Sequence, residues 1–219
     1  MPLTVESKFQ PAGDQPKAIR EIVKSFQDGE KYHTLIGATG TGKTFTMACV
    51  LEKLNRSSLI IAPNKTLAAQ LYSELKSLFA HRQVGFFISY YDYYQPEAYL
   101  PSSDTYIAKD SSINDDIEKM RHQTTSQLFE EDKVIIVASV SCIYGLGSPE
   151  TYAELVVNIE KGQQLNRQNF LTSLIDIQYT RQDHDLDRGS FRVRGDQVDL
   201  LPSQSSQEGL RVEFWGDEI

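Results

Sequence analysis

Thr34-Leu35-Ile36-Gly37-Ala38-Thr39-Gly40-Thr41-Gly42-Lys43-Thr44 decides the reading of this 219-residue chain. A short apolar run leads into G-x-x-x-x-G-K-T, and a helix-like segment from Lys43 to about Asn55 follows it. Strand, glycine-rich turn and helix in that order predict a P-loop. Glycines let the backbone N–H groups turn around phosphate oxygens where a Cβ would clash. The helix behind aims its positive end at the anion. Lys43 then supplies charge to the β- and γ-phosphates, and the Thr44 hydroxyl is placed to ligate Mg²⁺. Gly37, Ala38, Thr39, Gly40, Thr41 and Gly42 form the cradle, and ATP with Mg²⁺ is the expected cofactor pair.

Outward from the loop, helical and strand-like segments alternate. Pro16 opens an amphipathic stretch with Ala18, Ile19, Ile22, Val23 and Phe26 at helical spacing, stopped by Asp28-Gly29. Leu59-Ile60-Ile61-Ala62 reads as a buried strand ended by Pro63, Leu67 to Phe79 as a helix, and Val134 to Val140 as a further buried strand. This order predicts an α/β domain with a parallel sheet covered by helices. Just before the first helix, Phe9 and Gln15 offer an aromatic face and an amide that match adenine; alternatively, Gln15 simply starts the helix.

From about Glu150 the pattern changes. Tyr152 to Lys161 reads as a helix ending at Gly162. Ser190–Arg194, Gln197–Leu201 and Leu210–Phe214 then alternate as antiparallel strands. We therefore expect a P-loop domain over 1–150 and a smaller α+β domain starting at 151 and running to 219. The chain stops at Glu218-Ile219 without a terminal turn signal, which reads as a segment of something longer. ATP hydrolysis also needs a carboxylate at the end of a buried strand. Val134–Val140 ends without one, and Asp217-Glu218 follows a half-exposed, glycine-containing strand, so that acid is expected beyond Ile219. The segment alone should hydrolyse ATP negligibly.

Within the P-loop domain lies a tyrosine-rich stretch. Residues 86–106 hold 8 of the 22 aromatic residues, among them Tyr90, Tyr91, Tyr93 and Tyr94. Extended tyrosines offer flat faces to nucleic-acid bases; a tyrosine-rich core hairpin fits the same composition. Pro96 is the expected turn. Lys65-Thr66 can meet a phosphate backbone, or merely begin a helix. Arg181, Arg192 and Arg194 cluster near the second domain's turns as a partner site or a solvated face.

Net charge is −8, which argues against wholesale polyanion binding. The charge is segmental: +4 over 1–91, −7 over 92–132 and −5 over 133–219. Acidic residues such as Asp115 and Asp116 should repel nucleic-acid phosphates. The longest apolar runs fall far short of the ~20 residues that span a bilayer. No secretory leader is evident, and Cys49 and Cys142 lie too far apart in sequence for a zinc knuckle, so two buried thiols in a reducing cytoplasm are expected.

FQPAGDQPKAI (9–19), GATGTGKTFT (37–46), NKTLAAQLYSEL (64–75), SYYDYYQPEAYLPSSDTYI (89–107), VASVSCIYGLGSPE (137–150) and FRVRGD (191–196) together closely resemble the UvrB family, the B subunits of the bacterial UvrABC excinuclease. The resemblance implies a superfamily 2 helicase-like ATPase that verifies damaged double-stranded DNA, is loaded by UvrA and recruits UvrC. By position it gives ATP to Gly37–Thr44 and adenine to Phe9 and Gln15. It makes the stretch of about 90–112 a β-hairpin that inserts between DNA strands, with Tyr90, Tyr91, Tyr93 and Tyr94 as its wedge and Lys109 on DNA. Arg181, Arg192 and Arg194 become a UvrA-binding surface. Pro63 departs from the histidine common in the family, and the family's Walker B, second helicase domain and UvrC-binding tail have no counterpart. The related module of the transcription–repair coupling factor lacks an intact P-loop. Two other readings stay open: a UvrA- and DNA-binding module without hydrolysis, and another superfamily 2 ATPase with an aromatic arm.

Overall fold

The structure is a computed structural model, and it describes residues 2–82, 84–89, 91–95, 98–100, 105–107, 110–130, 132–143, 152, 155–205 and 208–219. The chain divides into two units, Met1–Tyr144 and Gly145–Ile219.

In the first unit, α1 (Gln15–Gln27) has proline in its first turn and α2 (Lys43–Leu54) begins directly from the glycine turn. β1 (Ser58–Ala62) and α3 (Lys65–Leu78) follow. Asn64 caps α3: its extended backbone (φ −149°) lets the side-chain oxygen accept the Leu67 N–H at 2.8 Å. β2 (Val84–Phe87) and, after the tyrosine stretch, β7 (Ile135–Ser139) complete a parallel sheet of order β1-β7-β2. Central β7 is buried along its whole length, as a parallel strand covered on both faces must be. Its core gathers Val137 with Ala62, Leu75, Phe79, Phe86 and Ile135. Thr124, on α4 (Asp115–Glu130), hydrogen-bonds the Phe86 N–H at 2.8 Å and so ties that helix to β2.

Two strand expectations are corrected here. Thr34–Ile36 forms no strand, and Ile36 is 89% exposed. An apolar tripeptide becomes a strand only where a neighbour takes its N–H and C=O groups, and among the described residues none pairs with it. β1 is not buried on both faces either: Leu59 and Ile61 are exposed while Ile60 and Ala62 point inward. β1 is an edge strand of the sheet, and its alternating exposure is that of a half-buried strand.

The tyrosine stretch builds two antiparallel ladders, one inside the other. β3 (Tyr91–Gln95) pairs with β6 (Asp110–Ile113), from Tyr91–Ile113 to Gln95–Asp110, with a register shift between Tyr91 and Tyr93. β4 (Ala98–Leu100) pairs with β5 (Thr105–Ile107), ending at Leu100–Thr105. Pro96, the expected turn, lies outside the described residues; the innermost described pair is Leu100–Thr105, and Tyr93 and Tyr94 sit on the outer ladder.

In the second unit, α5 (Arg167–Asp176) packs Phe170, Leu171 and Leu174 into a core with Phe191, Val198, Leu200, Val212 and Phe214. Its sheet runs β11-β10-β9-β8, with β8 Thr180–Arg181, β9 Ser190–Arg194, β10 Gln197–Leu201 and β11 Leu210–Glu213. The β9–β10 and β10–β11 pairs are antiparallel, as expected for these three strands, and the short β8, not anticipated from the sequence, lies parallel to β9. The helix expected over Tyr152 to Lys161 does not extend through 156–160. That segment instead leads to a turn at Gly162 (φ +86°), which is tied to Ile219 by a 2.7 Å backbone bond. Cys49 is buried and burial pushes its thiol up, while Cys142 is only half-buried; both are free. No described helix is long and apolar enough to cross a membrane.

Candidate nucleotide site and its surroundings

The Gly37–Thr44 turn folds back on itself ahead of α2. Gly40 (φ +79°) and Gly42 (φ +73°) hold left-handed backbone that side chains strain to adopt. A Cβ on Gly42 would lie 2.5 Å from Gln15 Nε2, and one on Gly37 would lie 2.8 Å from Thr41 Oγ1. A side chain at either position would have to push the Gln15 or Thr41 side chain out of its hydrogen bonds, and at Gly42 it would also strain the left-handed backbone. Thr41 Oγ1 donates to the Ala38 carbonyl at 2.8 Å, closing the turn. Lys43 Nζ curls back to donate to the Gly37 carbonyl at 2.9 Å and the Ala38 carbonyl at 2.7 Å. The ammonium therefore sits in the mouth of the turn, held by neutral acceptors that an anionic oxygen outcompetes. Gly42 is the residue before α2, so the helix's first N–H groups open onto the turn. These features fit a polyphosphate.

Gln15 closes one wall. Its Nε2 donates to the Thr41 carbonyl at 2.9 Å, and its Oε1 accepts the Ala12 N–H at 3.1 Å. It is thus more than a helix-starting residue: it joins the segment before α1 to the glycine turn. An open groove of about 1900 Å³ runs past this wall, and Phe9, Gln15, Lys43 and Thr44 all line it. Phe9 is 78% exposed, a ring with one face free for a ligand. Among the described residues no group of three or more acidic, histidine or cysteine side chains could hold a metal ion. Asp217 and Glu218 lie in a turn, accepting from Asn166 (3.0 Å) and Gln164 (3.3 Å).

The sequence profile of the family described as "Type III restriction enzyme, res subunit" matches residues 8–139, from Phe9's neighbour to the end of β7. The chain belongs to this family. Its fold is accordingly the helicase-type α/β arrangement, with the inserted hairpin and a smaller second domain; the profile "UvrB interaction domain" matches residues 157–219 within the latter. UvrABC system protein B from Staphylococcus aureus (strain COL), from Staphylococcus saprophyticus and from Staphylococcus haemolyticus (strain JCSC1435) are each 57% identical over 218 residues, all of this chain. The chain spans 33% of the length of these curated relatives.

The remaining predicted residues fall out differently. Tyr91, Tyr93 and Tyr94 lie on β3, whereas Tyr90 and Lys109 lie outside the described residues. Lys65 is the first residue of α3, directly after its Asn64 cap. Asp115 and Asp116 occupy the first turn of α4, where carboxylates favour the helix's positive end.

The three arginines do not form one cluster. Arg181 pairs in register with Phe191 and so shares that residue's face of the sheet, where it meets Asp183 at 3.5 Å. Arg192 and Arg194 alternate onto the opposite face. Arg192 is also committed: it donates to Asp199 Oδ2 from Nη2 at 2.9 Å and to the His184 carbonyl at 2.9 Å. Arg211, unnoticed in the sequence, reaches Asp199 Oδ1 at 2.6 Å. The Arg211 hydrogen bond, with Arg192 beside it, holds the buried Asp199 carboxyl down to about 2. Arg192, Asp199 and Arg211 face one another across three strands at period two, a signal visible once the register is known. Arg194, at the exposed end of β9, remains on the open polar face.

Proposed function

We propose that this chain is the nucleotide-binding and partner-binding portion of a UvrABC-type damage-verifying subunit. The observation that carries the reading is one polypeptide holding a built phosphate cradle, a nested tyrosine hairpin and a UvrB-type interaction domain, at 57% identity to UvrABC system protein B over its whole length.

In this reading Gly37–Gly42 wrap the polyphosphate, Lys43 leaves the Gly37 and Ala38 carbonyls for phosphate oxygens, and Thr44 supplies a hydroxyl to Mg²⁺. Phe9 and Gln15 receive adenine. Bound ATP supplies a phosphoanhydride whose breakage drives conformational change; the residues described here bind and orient it. Hydrolysis also needs an acid to position water, and this reading assigns that acid to another part of a longer protein. The hairpin probes damaged double-stranded DNA with Tyr93 and Tyr94, the second unit docks UvrA through Arg194 and its open polar face, and UvrC joins through other regions. The setting is the bacterial cytoplasm.

The test is UvrA-dependent loading on damaged DNA by a full-length protein carrying Lys43→Ala. The reading predicts that ATP-dependent loading disappears while UvrA pull-down persists. Equal loading by mutant and wild type would refute it.

A further inference from the structure

Residues 2–8 run as an extended strap along α2 and α3, with Leu3 buried against Ala48 and Thr4 exposed. Two polar side chains at the far end of α2 hold it. Asn55 Oδ1 accepts the Leu3 N–H at 3.0 Å, and Glu52 Oε1 accepts the Val5 N–H at 2.8 Å. The Glu6 N–H then reaches the Leu78 carbonyl at the end of α3 at 2.7 Å. The backbone of Asn55 suits this contact, because it ends α2 in the left-handed conformation (φ 48°), which turns its amide away from the helix. At the other end of the same helix, Gln15 holds the Thr41 carbonyl of the glycine turn. The segment is thus fastened in order along α2: Leu3 at Asn55, Val5 at Glu52, Gln15 at Thr41. Phe9 hangs between these anchors. Nothing in the phosphate cradle touches Glu52 or Asn55; α2's 12 residues put them ~18 Å from the glycine turn.

From this arrangement we infer that Glu52 and Asn55 are positioning residues for nucleobase recognition. They fix the strap that presents Phe9 and Gln15 to the base, and they leave the phosphate cradle alone. The inference rests on the nucleotide-binding reading above. It predicts that loosening the strap weakens binding of a whole nucleotide but not of a bare polyphosphate.

The experiment uses the full protein with Mg²⁺ and titrates ATP, GTP and inorganic tripolyphosphate into wild type, Glu52→Ala/Asn55→Gly, Glu52→Gln/Asn55→Asp, and Lys43→Ala. Glycine keeps the left-handed helix end while removing the acceptor; glutamine and aspartate keep acceptors. Loss of two such hydrogen bonds should weaken ATP binding ~3–10-fold and shrink the ATP-over-GTP preference, with tripolyphosphate affinity unchanged. The Gln/Asp variant should restore ATP binding. Val5→Pro, which removes the strap's own N–H donor, should reproduce the loss without altering α2, and it decides the matter if the double variant fails to fold. Unchanged ATP affinity, or equal loss of ATP and tripolyphosphate, would overturn the inference. Retention of tripolyphosphate binding by Lys43→Ala would instead overturn the nucleotide-site reading itself.

Discussion

Asp199 is where a single side chain sets a measurable property of the second unit. Its carboxylate is buried between Arg192 and Arg211 and titrates at about 2, against an ordinary value of 3.8. A depressed carboxyl stabilises the fold in its ionised form. That contribution is complete above the unfolded value, near pH 4, and is lost as pH falls through about 2. Allowing for solvent screening, it amounts to about 1–2 kcal/mol. Thermal unfolding followed from pH 5 to 2 should show Tm falling over this window, and Asp199→Asn should be lower at pH 5 and flatter below it. An identical acid limb in the mutant would contradict the assignment. The same geometry separates Arg192 from Arg194. Arg192→Ala breaks a charge-assisted bond to Asp199 and should cost about 1.5–3 kcal/mol of stability. Arg194→Ala should leave Tm unchanged and weaken UvrA pull-down. If Arg192→Ala weakens pull-down at unchanged Tm, Arg192 is a contact residue rather than a structural one.

Among the elements, the tyrosine hairpin carries the most specific expectation. Tyr93 and Tyr94 stand opposite Ser112 and Ser111 on the outer ladder, away from the innermost Leu100–Thr105 pair. If these rings stack on bases, Tyr93→Ala/Tyr94→Ala should reduce retention on bubble DNA by ~1–3 kcal/mol per ring, with UvrA pull-down and ATP affinity preserved. Proportional loss of all three would mean that the rings hold the fold. The helices were legible because their signals are local: Pro16, the glycine turn before Lys43 and the Asn64 cap each mark a start within one turn of chain. Strands depend on partners far along the chain. Thr34–Ile36 and Leu59–Ile61 carry the same apolar signature, yet only the second finds β7, and then on one side. The site divides the same way. Gly37–Thr44 is a contiguous motif, whereas Glu52 and Asn55 act on backbone N–H groups 47 and 52 residues distant, which no side-chain pattern announces.

At the scale of the whole molecule, two compact units separate the functional parts. Met1–Tyr144 holds the glycine turn and the hairpin, and Gly145–Ile219 holds the arginine-bearing sheet. The charge division follows the chain rather than the units: the basic excess falls within 1–91, which contains the glycine turn, and the acidic excess begins with the hairpin segment. In the proposed function the first unit binds a nucleotide through Lys43, whose ammonium rests on the Gly37 and Ala38 carbonyls. Calorimetric titration of Mg–ATP into wild type and Lys43→Ala tests it most directly. Lys43 is exposed, so the substitution should leave Tm nearly unchanged. Losing a charge-assisted contact to phosphate of about 1.5–3 kcal/mol should weaken ATP at least tenfold. Saturable ATP binding in the wild type that Lys43→Ala loses is the predicted result; equal affinity in the two proteins, or none in either, would contradict the account.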